Sequence, residues 1–176
     1  MPLEYAFITA KDTLKFVADT SSINIRFWEP LISFLAIEEP PAGDIKILSL
    51  SVLGEAMLDD GIVDVLLQQT MMLDVMYNLI KINRENSKLL CESYFNLGEI
   101  AAGTESQVAT LFSHTNLINQ MVDNLKDGPL KVQTEIIWVF AGAIVKYPTV
   151  ANLNLILDYG VLSPVCDLFI LTAYRR

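Results

Sequence analysis

Three stretches of the chain repeat one pattern of apolar and polar positions when slid past one another by about 44 residues. LLQQTMMLDVMYNLI (66–80), LFSHTNLINQMVDNL (111–125) and LILDYGVLSPVCDLF (155–169) align without gaps. Each has two apolar residues, a polar break, and then apolar residues at helical spacing. The breaks at Gln68-Gln69-Thr70, Ser113-His114-Thr115 and Asp158-Tyr159-Gly160 predict corners where one short helix ends and another begins. Gly160 suits such a corner because glycine tolerates positive φ. The spacing predicts that Leu73, Met76, Leu117, Met121, Val161, Val165 and Leu168 are core positions.

A second aligned set runs through SLSVLGEAMLDD (49–60), ESYFNLGEIAAG (92–103) and EIIWVFAGAIVK (135–146). Glu92 and Glu135 lie 43 residues apart, as do Phe95 and Trp138, while Glu55 and Glu99 lie 44 apart. A period near 43 falls within the range of armadillo and HEAT repeats. Each unit then holds a short helix, a second helix and a longer third one, the third helices covering about 45–58, 87–102 and 130–146. Breakers sit where the connecting turns are needed: Glu39-Pro40-Pro41-Ala42-Gly43, Asn83-Arg84-Glu85-Asn86, Lys126-Asp127-Gly128-Pro129 and Tyr147-Pro148. FWEPLISFLA (27–36) matches the second-helix positions of an earlier, partial unit, with Pro30 equivalent to Pro164. Both prolines are expected in a first helical turn, where a missing N–H costs little. The predicted fold is an all-α armadillo-repeat superhelical solenoid of about three to four repeats, forming one domain over 1–176. It comprises a partial unit over about 1–60 and units over about 61–103, 104–147 and 148–176.

Composition agrees with a packed chain: 52% of the 176 residues are hydrophobic and 19% charged, ample material for one core. The longest strongly apolar run, 136–145, has ten residues, and a bilayer crossing takes about 20. Glu4, Lys11, Asp12 and Lys15 break up the first stretch, so no secretory leader is expected and the protein reads as soluble and intracellular. Cys91 and Cys166 lack CxxC spacing and neighbouring histidines, and are expected to be reduced core thiols. The net charge of −9 is spread along the chain, as at Glu38-Glu39, Asp59-Asp60 and Asp123, with no basic stripe. That disfavours nucleic acid as a partner and favours basic proteins or peptides.

Catalytic chemistry finds no constellation. His114, the single histidine, stands at a predicted helix corner between Ser113 and Thr115, where it is expected to cap or to face solvent. No phosphate-cradling GxxxxGK[ST] or GxGxxG and no nucleophile elbow is present. Glu38-Glu39 and Asp59-Asp60 fit solvated helix ends better than an acid–base pair. Met71, Met72 and Met76 fit core filler. The expectation is a protein that is not an enzyme and has no metal or cofactor.

The third helices carry a family resemblance. ESYFNLGEIAAGTESQ is similar to the E-A-C-W-x-x-S-N-I-x-A-G-x-x-x-Q segment of importin α, the armadillo adaptor that carries nuclear localisation signals. Glu92, Gly103 and Gln107 match, with Phe95 for the tryptophan and Glu99 for the asparagine. EIIWVFAGA resembles the next repeat, keeping Glu135 and Trp138 with Gly142 in the asparagine position. YGVLSPVCDLF resembles Q-G-C-I-K-P-L-C-D-L-L, and retains Gly160, Pro164, Cys166, Asp167 and Leu168. SLSVLGEAMLDDG resembles A-L-R-A-V-G-N-I-V-T-G-D-D, with Glu55 for asparagine and Ser51 for arginine. The likeness spans roughly 48–169 and points to the C-terminal half of that solenoid.

The resemblance implies a peptide groove lined by Ser51, Glu55, Phe95, Glu99, Trp138 and Gly142, a right-handed superhelix, and work in the cytoplasm and nucleus. In importin α the asparagine amides hold the cargo backbone and the tryptophans form slots for lysine stems. An ionised glutamate only accepts hydrogen bonds and glycine has no side chain, so backbone reading is impaired at Glu55, Glu99 and Gly142. Phe95 with Glu99, and Trp138 with Gly142, are four residues apart and so share a helix face. The function implied is a divergent or partial adaptor for basic localisation segments; the alternative is an armadillo scaffold for another protein, with no transport role. A lysine- and arginine-rich N-terminal segment is missing, so importin β is not an expected partner of this chain. No membrane partner is expected either, and the oligomeric state stays open.

Overall fold

The computed structural model describes residues 28–37, 43–69 and 71–173. The residues of the Glu38-Glu39 pair, most of the proline turn that follows it, Thr70 of the first corner and the N-terminal charges Glu4, Lys11, Asp12 and Lys15 lie outside them. Among the described residues ten helices run in order, with no strand. They are α1 (Trp28–Leu35), α2 (Gly43–Ala56), α3 (Asp60–Gln69), α4 (Met72–Ile82), α5 (Ser87–Ala101), α6 (Glu105–Ser113), α7 (Thr115–Asp127), α8 (Leu130–Lys146), α9 (Val150–Asp158) and α10 (Leu162–Ala173). The short, middle, long succession is plain in α6, α7 and α8, of 9, 13 and 17 residues.

Equivalent helices stack on one another. The long third helices α2, α5 and α8 form one row, with α5 packed between the other two. The second helices α1, α4, α7 and α10 form another, and the short α3 and α6 pack together. Long-range packing therefore joins neighbouring units, as in a solenoid.

Local chemistry sets the corners. Pro30 and Pro164 are each the third residue of their helix, in the first turn. The Asn86 side chain accepts from the Leu89 N–H at 3.1 Å and starts α5. Thr104 and Gln107 form a reciprocal capping box at α6. The Gln107 amide, buried, goes further: Nε2 donates to the Asp60 carbonyl at 2.9 Å and to Asp64 Oδ1 at 2.7 Å, tying α6 to α3. Gly103 is required beside it, since a Cβ there would stand 1.8 Å from Gln107 Oε1. Gly160 has φ of +69° at the α9–α10 corner, the left-handed conformation expected of it.

Met76, Leu117 and Met121 are fully buried and Val161 nearly so. Leu73 and Val165 are half-buried against the core, and Leu168 is half-buried beside a cleft between α7 and α10. Their common spacing does not distinguish the covered flank of a second helix from its open one. Two other expectations are corrected as well. Met72 and Met76 are core residues, but Met71 precedes α4 and is exposed. Neither cysteine is in a disulfide; Cys91 is half-buried, while Cys166 lies on the open side of α10 and is exposed rather than in the core.

Candidate functional site

The exposed side of the third-helix row carries two aromatic side chains that the core leaves out. Phe95 on α5 is 45% exposed and Trp138 on α8 is 66% exposed. Between them lies a pocket of about 520 Å³ lined by both helices. Phe95, Glu99, Trp138 and Gly142 all line it, so four of the six expected groove residues meet at one place. Ser51 and Glu55 sit half-buried on α2 and are not part of this pocket.

The reason for that separation is the Phe95 ring. Gly54 on α2 and Gly98 on α5 occupy equivalent positions, as do Phe95 and Trp138. A Cβ on Gly54 would lie 3.0 Å from Phe95 Cε1 and 3.1 Å from Cδ1, so the ring covers the glycine and closes the space between α2 and α5. A Cβ on Gly98 would meet nothing within 4 Å. Trp138 therefore leaves its equivalent glycine open, and the α5–α8 space remains a pocket. Gly98, Ala102, Ala141 and Gly142 make its small-residue floor, and Val145 adds an exposed apolar wall.

Two carboxylates reach this apolar space, Glu99 and Glu135. Burial holds both above the usual carboxylate range. Among the described residues neither has an ion-pair or hydrogen-bond partner. The nearby Cys91 thiol is also raised, first by burial and then by the Glu135 charge. Tyr94 is buried at the back of the pocket and lines it, with its phenol raised by burial and its oxygen accepting from Asn124 Nδ2 at 2.6 Å. Asn96 hangs behind α5, donating to the carbonyls of Leu50 at 3.0 Å and Glu92 at 2.7 Å. It joins α5 to α2 and does not reach the pocket.

The sequence-derived set omits Tyr94, Gly98, Ala102, Glu135, Ala141 and Val145. Helical spacing carries the signal, because 95, 98 and 102, the last at the C-cap of α5, and 135, 138, 141 and 145 on α8 each follow one face. His114 is a structural cap: Nδ1 accepts from the Leu117 N–H at 3.2 Å and Nε2 lies 3.1 Å from Asp74 Oδ1 on α4. Asp59 likewise serves a helix end, accepting from the Gly61 N–H at 2.7 Å. No group of three or more His, Cys, Asp or Glu side chains among the described residues is placed to hold a metal. No described helix is long and apolar enough to cross a membrane.

The chain matches no protein-family model and no curated protein sequence. Among solved structures it is similar to a designed armadillo repeat protein, YIII(Dq.V1)4CPAF, in complex with peptide (KR)4. The TM-score is 0.69, over 93% of this chain and 68% of that one, at 16% sequence identity. The fold is an armadillo-type solenoid. At that identity the likeness carries the architecture and no residue roles, so the chemistry of the groove rests on its own side chains. Those are aromatic and aliphatic walls with two carboxylates among them.

Proposed function

We propose that the protein is an armadillo scaffold that binds basic peptide segments in the groove between α5 and α8. The observation that carries this is the pair Glu99 and Glu135, half-buried carboxylates without a cation partner among the described residues, set between exposed Phe95 and Trp138. A lysine or arginine satisfies both features: its charge neutralises the carboxylates, and its stem or guanidinium packs on the aromatic faces. The net charge of −9 favours encounter with such a segment. The (KR)4 complex of the designed armadillo protein supports a basic peptide as a ligand suited to this architecture.

The importin α-like motifs favour a narrower reading, a divergent adaptor for nuclear localisation segments working between cytoplasm and nucleus. Glu92, Gly103, Gln107, Glu135 and Trp138 stand where that family has the same residues. Against it stand the replacements Glu55, Glu99 and Gly142, which cannot donate to a peptide backbone. The broader scaffold function therefore has the better support, with nuclear import as its special case.

Titration calorimetry with the (KR)4 peptide at low and raised salt tests the proposal. Binding should weaken as salt screens the carboxylates, and Glu99→Gln with Glu135→Gln should reduce it further. Absence of heat from a folded parent at low salt would refute it. Import of a fluorescent basic-signal reporter in permeabilised cells, dependent on added protein, separates the transport reading from the scaffold one.

A further inference from the structure

Gly98 stands in the interior of α5, where glycine is disfavoured relative to alanine. The other constrained glycines have a reason in the fold. A side chain on Gly54 would press on Phe95, one on Gly103 would collide with Gln107, one on Gly128 would come 2.3 Å from the Asn124 carbonyl oxygen, and Gly160 has positive φ. Gly98 has no such neighbour and no positive φ; what its missing side chain preserves is the depth of the pocket. Gly142 deepens the same floor from α8.

From that geometry we infer that the pocket takes a large apolar side chain of the bound segment, and that a basic residue next to it pairs with Glu99 and Glu135. The inference rests on the basic-segment reading and narrows it: the partner is a mixed segment, with an aliphatic or aromatic residue beside lysine or arginine, rather than an unbroken basic run. Charge complementarity fixes the cation, since both carboxylates line the pocket and no described cation pairs with them. Shape and polarity fix its neighbour. The floor is Gly98, Ala102, Ala141 and Gly142, and the walls are Phe95, Trp138 and Val145, the last 81% exposed. A lysine ammonium carried into that floor would lose its water with no oxygen acceptor from these side chains, whereas a leucine there gains by leaving water. Without asparagine amides at Glu99 and Gly142, side-chain fit supplies the selectivity that backbone clamping would otherwise give.

Calorimetry with two peptides, (KR)4 and the same peptide with one central lysine replaced by leucine, tests the inference on the parent and on Gly98→Leu. The leucine peptide carries less charge, yet should bind the parent about tenfold more tightly. Gly98→Leu adds a side chain into open space on a helix and should stay folded, with a melting midpoint at or above the parent's. It should abolish the advantage of the leucine peptide. If the leucine peptide binds no better than (KR)4, or its advantage survives in Gly98→Leu, the inference is overturned while basic-segment binding stands. If neither peptide binds the folded parent, both fall together. Should Gly98→Leu fail to fold, the comparison of the two peptides on the parent still decides.

Discussion

The ring of Phe95 lies against Gly54, with its Cε1 3.0 Å from where a Cβ on that glycine would stand. The contact closes one inter-helix space in the third-helix row and leaves the next, above Gly98, open. The two glycines should accordingly answer alanine differently. Gly98→Ala should raise stability by about 0.5–1 kcal/mol in urea unfolding, the helix-propensity difference alone. Gly54→Ala gains the same propensity but must displace the Phe95 ring, so its net gain should be smaller or negative. Equal gains at the two sites would mean that the Phe95 contact carries no strain.

Gln107 is the hinge pin between α3 and α6. Gln107→Ala removes half of a capping box and two hydrogen bonds to the preceding unit, leaving the part-buried Thr104 N–H, Asp60 carbonyl and Asp64 carboxylate short of a partner. The expected loss is about 1–3 kcal/mol. A change within about 0.5 kcal/mol, as at ordinary surface sites, would rule out that role.

Burial separates Met121 from Leu168. Met121→Ala should cost about 2–5 kcal/mol, because the side chain is fully enclosed. Leu168 borders the α7–α10 cleft and keeps part of its surface in water, so Leu168→Ala should fall clearly below the Met121→Ala loss. Chemical denaturation of both variants checks the order.

The missing amides can be restored. Gly142 has room for a side chain, its Cβ falling 3.5 Å from the Ala101 carbonyl carbon, an ordinary contact. Combining Glu55→Asn, Glu99→Asn and Gly142→Asn replaces groups that only accept, and one that does neither, with groups that can donate to a peptide backbone. Affinity for a basic localisation peptide should rise despite the loss of two negative charges, and its salt dependence should decrease. A triple variant that is folded and binds such a peptide more weakly than the parent would show that charge, not backbone pairing, governs the groove.

Glu99 and Glu135 set a pH dependence. Their folded pKa values are raised by burial, so ionisation burdens the folded state more than the unfolded chain. The burden is full above the folded pKa, shrinks as pH falls through it, and is gone below the unfolded value. Glu99→Gln and Glu135→Gln should therefore raise the unfolding midpoint at neutral pH and lose that advantage below about pH 4. Affinity for a basic peptide should run the other way with pH. Protonation removes the charge that attracts the cation, so binding should weaken as pH falls through the raised range, with proton release on binding within it.

The repeat was legible because its period is written twice, in the second and the third helices. α5 and α8 begin at Ser87 and Leu130, where the spacing puts them, and α8 ends at Lys146 as expected. α2 lies about two residues earlier than the spacing suggests, since the chain turns after Ala56 and Asp59 caps the next helix through the Gly61 N–H. Phe95, Glu99, Trp138 and Gly142 could be placed on one groove from their four-residue spacing. What the sequence did not reveal is that the two aromatic positions behave differently. Phe95 and Trp138 align, and only the direction of each ring decides which glycine is covered. Met71 and Leu168 read as core for a related reason: periodicity identifies a face, while its cover depends on the neighbouring unit.

Stacking has a consequence for how the molecule comes apart. Among the described third helices, α5 has a partner on both flanks, whereas α8 packs on one. Amide exchange should accordingly be slower along α5 than along α8, because opening α5 disrupts packing on both of its flanks. The pocket straddles that difference, with one wall on the more protected helix and the other on the less protected one. A ligand bridging α5 and α8 would act as a clasp, slowing exchange in α8 more than in α5.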